Sequence, residues 1–145
     1  MSKNKIEIGN QKSLFLYETK VRVGDLNYAN HLGHDNLIKI IHDVRMSFLE
    51  KYGLGEINLD INIGLIIANL NINYLSQSFL NDFLRINVYP GEIYNSSFEI
   101  LYKIENQNEI ISICSTTMVC CDIIKKRPVR IPEKFLKILK YENII

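Results

Sequence analysis

No stretch of this 145-residue chain stays apolar for long enough to span a bilayer. Neither sign of charge dominates: the formal net charge is +1, so no global field draws the chain to DNA, RNA or an anionic membrane. Cysteine is scarce. Cys114, Cys120 and Cys121 are odd in number and share one apolar, strand-like run. Neighbours on a strand point to opposite faces, so Cys120 and Cys121 are poorly placed to pair, and all three read as buried free thiols in a reducing compartment. The first residues, Met1 to Glu7, are polar and lack the apolar core of a secretory signal, which makes a cytoplasmic location the expectation. There is no internal repeat and no low-complexity linker. What remains suits one domain over residues 1–145, with 47% hydrophobic residues for a core and an ordinary 23% charged.

Periodicity divides the chain into strand, helix and four more strands. Residues 1–12 read as a loose polar arm. From Phe15 the apolar positions alternate through Tyr17, Thr19, Val21 and Val23, the period of a strand. Leu37, Ile40, Ile41, Val44 and Phe48 then recur at helical spacing, predicting a helix over residues 34–52 that Gly53 ends. Strands follow over Ile63 to Tyr74, Phe83 to Tyr89, Phe98 to Ile104 and residues 110–124. On the first of these, Ile66, Ala68, Leu70, Ile72 and Tyr74 form one face, with Ile67, Asn69, Asn71 and Asn73 on the other. Pro90-Gly91 and Asn106-Gln107-Asn108 are turn signals, and Phe135, Leu136, Ile138 and Leu139 mark a short final helix. One early helix followed by hairpin-linked strands demands a mostly antiparallel sheet packed on that helix. A sheet of this size leaves an edge, which dimerisation commonly covers.

Between the first strand and the long helix, Asp25 to Asn36 crowds two acids, two imidazoles and three carboxamides. A helix start also offers free backbone N–H groups and the positive end of a dipole. This cluster is the candidate reaction site.

Three segments are informative together: Val21-Arg22-Val23-Gly24-Asp25-Leu26-Asn27, Asn30-His31-Leu32-Gly33 and Val44-Arg45-Met46-Ser47-Phe48-Leu49. In them the chain resembles the hot-dog-fold acyl-CoA thioesterases, and within these the 4-hydroxybenzoyl-CoA thioesterase-like branch. The resemblance runs from Phe15 to Leu139, with further echoes in Tyr74, Asp82 and Ile131-Pro132-Glu133. It implies an α+β hot-dog fold, one long helix wrapped by a five-stranded, mostly antiparallel sheet. It also implies a homodimer or homotetramer that hydrolyses fatty or aromatic acyl thioesters of coenzyme A or acyl carrier protein. No metal is implied, and no cofactor beyond the coenzyme A of the substrate. Better-studied members carry D-x-D in the loop, the second acid being catalytic. Here Asn27 stands in that place, and a carboxamide is neither base nor nucleophile. The segment is closer to a sub-branch reading D-x-N-Y-x-N-H-L-G.

Thioester hydrolysis needs an activated water or nucleophile, and donors aimed at the developing oxyanion. The resemblance gives the oxyanion role to the backbone N–H of His34, with Gly33 allowing close approach; Gly33 is otherwise a turn residue. His31 is the candidate base, histidine being the side chain that titrates nearest neutral pH, against a ring that simply bonds its own loop. Asp25 orients His31 or holds water, against capping the loop. Asp35 activates water, against stabilising the first helical turn. Asn27 orients water or carbonyl, or organises the loop. The candidate catalytic set is therefore Asp25, Asn27, His31, His34 and Asp35. His42, Asp43 and Arg45 read as structural, Arg45 as an ion-pair partner at the helix surface or dimer seam. Asn69 and Asn71 either line a polar groove between subunits or form a solvated strand face. Lys126 and Arg127, beside Lys125 and Arg130, meet the phosphates of coenzyme A or form a solvated hairpin end. So small a basic patch does not argue for nucleic acid. With Gly33, the residues Asn69, Asn71, Lys126 and Arg127 make up the candidate substrate-binding set. Two other functions stay open. Hydratases of the same fold carry G-D-x-N-P-x-H; Gly24-Asp25-Leu26-Asn27 matches, but Tyr28 replaces the proline and His31 falls one residue late. A non-catalytic acyl-binding module draws its support from Asn27.

Overall fold

Residues 5–142 are described by a computed structural model of the chain. Strand β1 (Phe15–Lys20) keeps the expected alternation but stops before Val23. The Asp25 carboxylate accepts the Arg22 N–H at 2.9 Å and closes a 3-10 turn over Val23–Asp25. Val21 therefore stays in the core at 0% exposure, while Val23 swings into solvent at 73%.

Helix α1 (His34–Glu50) buries Leu37, Ile40, Ile41, Val44 and Phe48, as their spacing demands. It ends where Gly53 takes φ +72° and the N–H groups of Gly53 and Leu54 close on the carbonyls of Glu50 and Leu49. Phe48 packs between the rings of Phe15 and Tyr52, at 6.0 and 5.9 Å.

The sheet consists of β1, β2 (Ile63–Tyr74), β3 (Phe83–Ile93), β4 (Ser97–Glu105), β5 (Ile110–Asp122) and the two-residue β6 (Arg127–Pro128). Every pairing is antiparallel, in the order β1-β3-β4-β5-β2, with β6 also on β5. The cross-strand row Phe15, Val88, Tyr102, Cys114, Ile72 faces α1 and carries the middle of the core. Helix α2 (Glu133–Leu139) adds Phe135, Ile138 and Leu139 to it. This is the expected α+β architecture with five main strands. Burial pushes the Cys114 and Cys120 thiols up to about 12, as suits inert packing residues.

Three local expectations are corrected. Pro90-Gly91 is not a turn: β3 runs through it to Ile93, with Pro90 opposite Ile100 and the register slipping before Ile93. β1 has ended by then, so the N–H that proline lacks is not missed, and a Cβ on Gly91 would lie 2.6 Å from Glu99 Cβ. The turn comes later, where Tyr94 N–H reaches the Ser97 carbonyl. Second, a bulge at Ala68 shifts the phase of β2. Ile67 therefore joins Leu70, Ile72 and Tyr74 on the helix side, and Ile66 joins the asparagines outside. Third, the N-terminal arm is not loose from residue 5 onward. Ile6 N–H donates to Asn73 Oδ1 at 3.0 Å and Gln11 Nε2 to the Pro90 carbonyl at 3.3 Å, laying it across the outer face of the sheet.

Tyr102 is fully buried, and its hydroxyl shares a 2.8 Å hydrogen bond with Thr116. Tyr102→Phe is expected to cost about 1 kcal/mol, because the Thr116 hydroxyl is left buried without a partner. A urea melt checks this: the midpoint falls while the slope is unchanged.

Candidate active site

Two backbone bonds tie the loop before α1 into a fixed shape: Gly33 N–H donates to the Asp25 carbonyl at 3.0 Å, and Leu32 N–H to Ser78 at 2.8 Å. Asn36 Nδ2 reinforces the first at 3.1 Å. Inside the loop, Asn27 Oδ1 accepts from the N–H groups of Ala29 (3.0 Å) and His31 (3.3 Å). That commits its oxygen to the backbone and turns its NH₂ group toward His31 Nδ1, 3.3 Å away. An NH₂ group only donates, so Nδ1 accepts and the proton of the neutral ring sits on Nε2. Asn27 thus sets the tautomer of His31 and leaves its outer nitrogen a donor. The ring stands edge-on to Phe79, with centroids 6.3 Å apart.

Gly33 is the N-cap, and no side chain caps the helix. Among the described residues no acceptor meets the N–H groups of His34 or Asp35. These two amides and the helix dipole are open to a ligand oxygen. The Asp35 carboxylate is exposed beside them; a Cβ on Gly33 would come within 2.8 Å of its Oδ1, so glycine keeps this notch open. Tyr74 closes one side: its ring is edge-on to His34 at 6.3 Å, and its hydroxyl leans on the His34 carbonyl at 3.4 Å. Burial, then the Cys114 sulfur, then the Asp35 carboxylate raise the Tyr74 pKa above the usual phenol value.

The structure therefore brings together Asn27, His31, Gly33, His34 and Asp35. Asp25 belongs to the same loop, but its carboxylate serves the turn at Arg22 and His31 is paired with Asn27 instead. Asn69 and Asn71 lie on the opposite face of the sheet; Asn71 shares its row with Ser115 and Leu101, under the N-terminal arm. Lys126 and Arg127 sit at the β5–β6 turn, where Asp122 Oδ1 accepts from the N–H groups of Ile124 (2.9 Å) and Lys125 (2.8 Å). This turn adjoins the Ile63 end of β2, whereas His34 adjoins the Tyr74 end.

Phe79 and the loop that carries it escape the sequence reading. Asp82 holds that loop, accepting from Ser78 Oγ at 2.7 Å, Phe79 N–H at 2.9 Å and Gln107 Nε2 at 2.9 Å. Burial works against the Asp82 charge, but Gln107, Phe79 and Ser78 prevail and hold its pKa below the usual carboxylate range. The only signal was the pair of flanking echoes, Tyr74 and Asp82. Among the described residues no group of three or more His, Cys, Asp or Glu side chains is arranged to hold a metal ion, and no helix is long and apolar enough to cross a membrane.

Comparison with known proteins identifies the family. Residues 21–139 match the family described as the Thioesterase-like superfamily. The chain is 25% identical over 120 residues to the 1,4-dihydroxy-2-naphthoyl-CoA hydrolase of Thermosynechococcus vestitus, spanning 81% of this chain and 82% of that protein. It is 25% identical over 109 residues to the long-chain acyl-CoA thioesterase FadM of Escherichia coli, spanning 73% and 82%. In structure it is similar to the 1,4-dihydroxy-2-naphthoyl-CoA thioesterase of Synechocystis, with TM-score 0.79, 18% identity and coverage of 87% and 95%. A Staphylococcus aureus protein solved in complex with CoA gives TM-score 0.81 at 19% identity, with coverage of 96% and 92%. The matched span takes in the loop, α1 and all of the sheet beyond β1, and the chain belongs to the thioesterase-like superfamily, with its hot-dog fold.

Proposed function

We propose that the protein is an acyl-CoA thioesterase whose reaction centre is the first turn of α1. The observation that carries this is the first turn of α1, where the N–H groups of His34 and Asp35 meet no acceptor among the described residues, beside the exposed Asp35 carboxylate and after the loop in which Asn27 orients the His31 imidazole. The thioester oxygen accepts from the His34 amide, which strengthens its hold as negative charge develops there. Asp35 takes a proton from water as the water oxygen bonds to the carbonyl carbon. Collapse of the tetrahedral intermediate breaks the C–S bond, and the leaving thiolate recovers that proton from Asp35. His31 Nε2–H donates to the oxyanion or the sulfur as charge moves between them. Asn27 positions the imidazole and does no proton chemistry itself.

The single chain leaves β2 as an open edge with Ile66, Ile67, Leu70 and Tyr74 exposed, so the working unit is a homodimer joined there. A two-fold axis pairing β2 with β2 antiparallel sets the Ile63 end of one strand beside the Tyr74 end of the other. Within one chain those ends stand roughly 36 Å apart, at ~3.3 Å per residue. The partner subunit's Lys126 and the partner subunit's Arg127 then come near this chain's His34, where they meet the phosphates of coenzyme A.

The test is release of free thiol from a panel of acyl-CoAs. The wild type releases CoA, and His31→Ala cuts turnover at least tenfold, the usual worth of a proton-handling side chain, with an unchanged far-ultraviolet spectrum. Acyl-CoA binding with no thiol released from any member would make the chain an acyl-binding module instead.

A further inference from the structure

One cavity is not used by the reaction centre. It holds about 190 Å³ between α1 and the inner face of β2, walled by Ile38 and Ile41 on the helix and Ile67 and Leu70 on the strand. Ile38 stands one helical turn beyond His34, and Arg45 two turns further, so the slot starts about 6 Å from the carbonyl site and runs about 10 Å along the helix. It therefore continues the path of an acyl group held by the His34 amide. Its volume is a little above the ~150 Å³ cavity that accepts benzene, which suits a compact acyl group rather than a long chain.

The far end of the slot is charged. The Glu56 carboxylate is gripped by Arg45 Nε at 2.6 Å and His42 Nε2 at 2.9 Å, one on each oxygen, and Arg45 is only 5% exposed. The Glu56 backbone is pinned too, its carbonyl accepting Leu65 N–H at 2.6 Å. Burial raises the pKa of Glu56, but Arg45 and then His42 outweigh it and bring the pKa below the usual carboxylate value, so the group is an acceptor at neutral pH. Each oxygen is engaged once and keeps a lone pair for the slot. A methyl group arriving there strips water from the carboxylate and returns nothing; a hydroxyl replaces the lost bond.

We infer that Glu56 determines acyl specificity: its carboxylate accepts a hydrogen bond from a hydroxyl at the far end of a compact acyl group and selects such groups over hydrocarbon groups of equal size. This rests on the thioesterase reading above. Two matched pairs test it by thiol release, 4-hydroxybenzoyl- against benzoyl-CoA and 6-hydroxyhexanoyl- against heptanoyl-CoA. In at least one pair the wild type favours the hydroxyl member at least tenfold in kcat/KM, since a site built to bond a hydroxyl discriminates strongly against its absence. Glu56→Gln, which offers only a neutral acceptor, lowers that ratio at least threefold. Ile38→Trp fills the slot from the helix, two turns from Arg45 and away from the β2 seam, and abolishes the ratio, which keeps the test decisive should Glu56→Gln fold poorly. Equal wild-type rates on both members of both pairs overturn the role of Glu56 while hydrolysis stands. So does a preference that survives both variants. No thiol release from any acyl-CoA overturns the thioesterase reading and this inference with it.

Discussion

Asp35→Ala is expected to lower thioester hydrolysis at least a hundredfold while leaving the fold and coenzyme A binding in place. The size follows from its position. Asp35 is the exposed carboxylate of the first turn of α1, next to the His34 and Asp35 amides, which meet no acceptor among the described residues. The other local candidates are committed elsewhere: Asp25 bonds the Arg22 N–H, Asn27 cannot take a proton, and His31 has Nδ1 turned to Asn27. Removing a positioned base costs ~10²- to 10⁴-fold. The structural price is small, since a first-turn acid contributes about 0.3–1 kcal/mol through the helix dipole. Asp35→Asn separates charge from shape and should be nearly as slow. Steady-state thiol release, alongside the melting temperature and the affinity for free coenzyme A, reads all three quantities. A variant that keeps a third of the wild-type rate would return the base to Asp25 or His31.

The long helix was legible because Leu37, Ile40, Ile41, Val44 and Phe48 form a stripe that only one period fits, and Gly53 ends it by the mechanism its residue type predicts. The strands were legible as alternation, and their boundaries fail where long-range pairing overrides a local signal. Pro90-Gly91 reads as a turn until β1 is seen to end at Phe15, opposite Val88. The extra residue at Ala68 leaves no local mark, yet it turns Ile67 toward α1 and puts Ile66 on the outer face with Asn69, Asn71 and Asn73. In the site, residues close together in sequence are also close in space. Their hydrogen-bond partners were not legible, because these depend on which way each polar group points. Which way the Asn27 carboxamide points decides which nitrogen of His31 carries the proton, and two backbone amides decide that.

Arg45 is where position in sequence misleads most, and it yields the largest expected change in stability. Its spacing places it beside the apolar stripe, and the reading was a surface or seam ion pair. The structure buries it to 5% exposure, with Nε donating to Glu56 at 2.6 Å. Burial opposes the Arg45 charge, but Tyr102 and Glu56 more than compensate, and its pKa lies above the usual value. Arg45→Met keeps most of the volume and removes the charge. The Glu56 carboxylate is then left with His42 alone, although its side chain keeps 20% of its exposure to water. Breaking a buried pair on one side costs ~3–5 kcal/mol, and that residual solvation puts this case at about 3 kcal/mol. Arg45→Met combined with Glu56→Gln removes both charges, so the double variant should be more stable than the sum of the two single losses by about 1–2 kcal/mol. Urea unfolding of the four proteins gives the coupling directly. Strict additivity would mean that the pair does not hold the Glu56 loop against the helix, and the charged floor of the acyl slot would then lack the rigidity that selecting a hydroxyl requires.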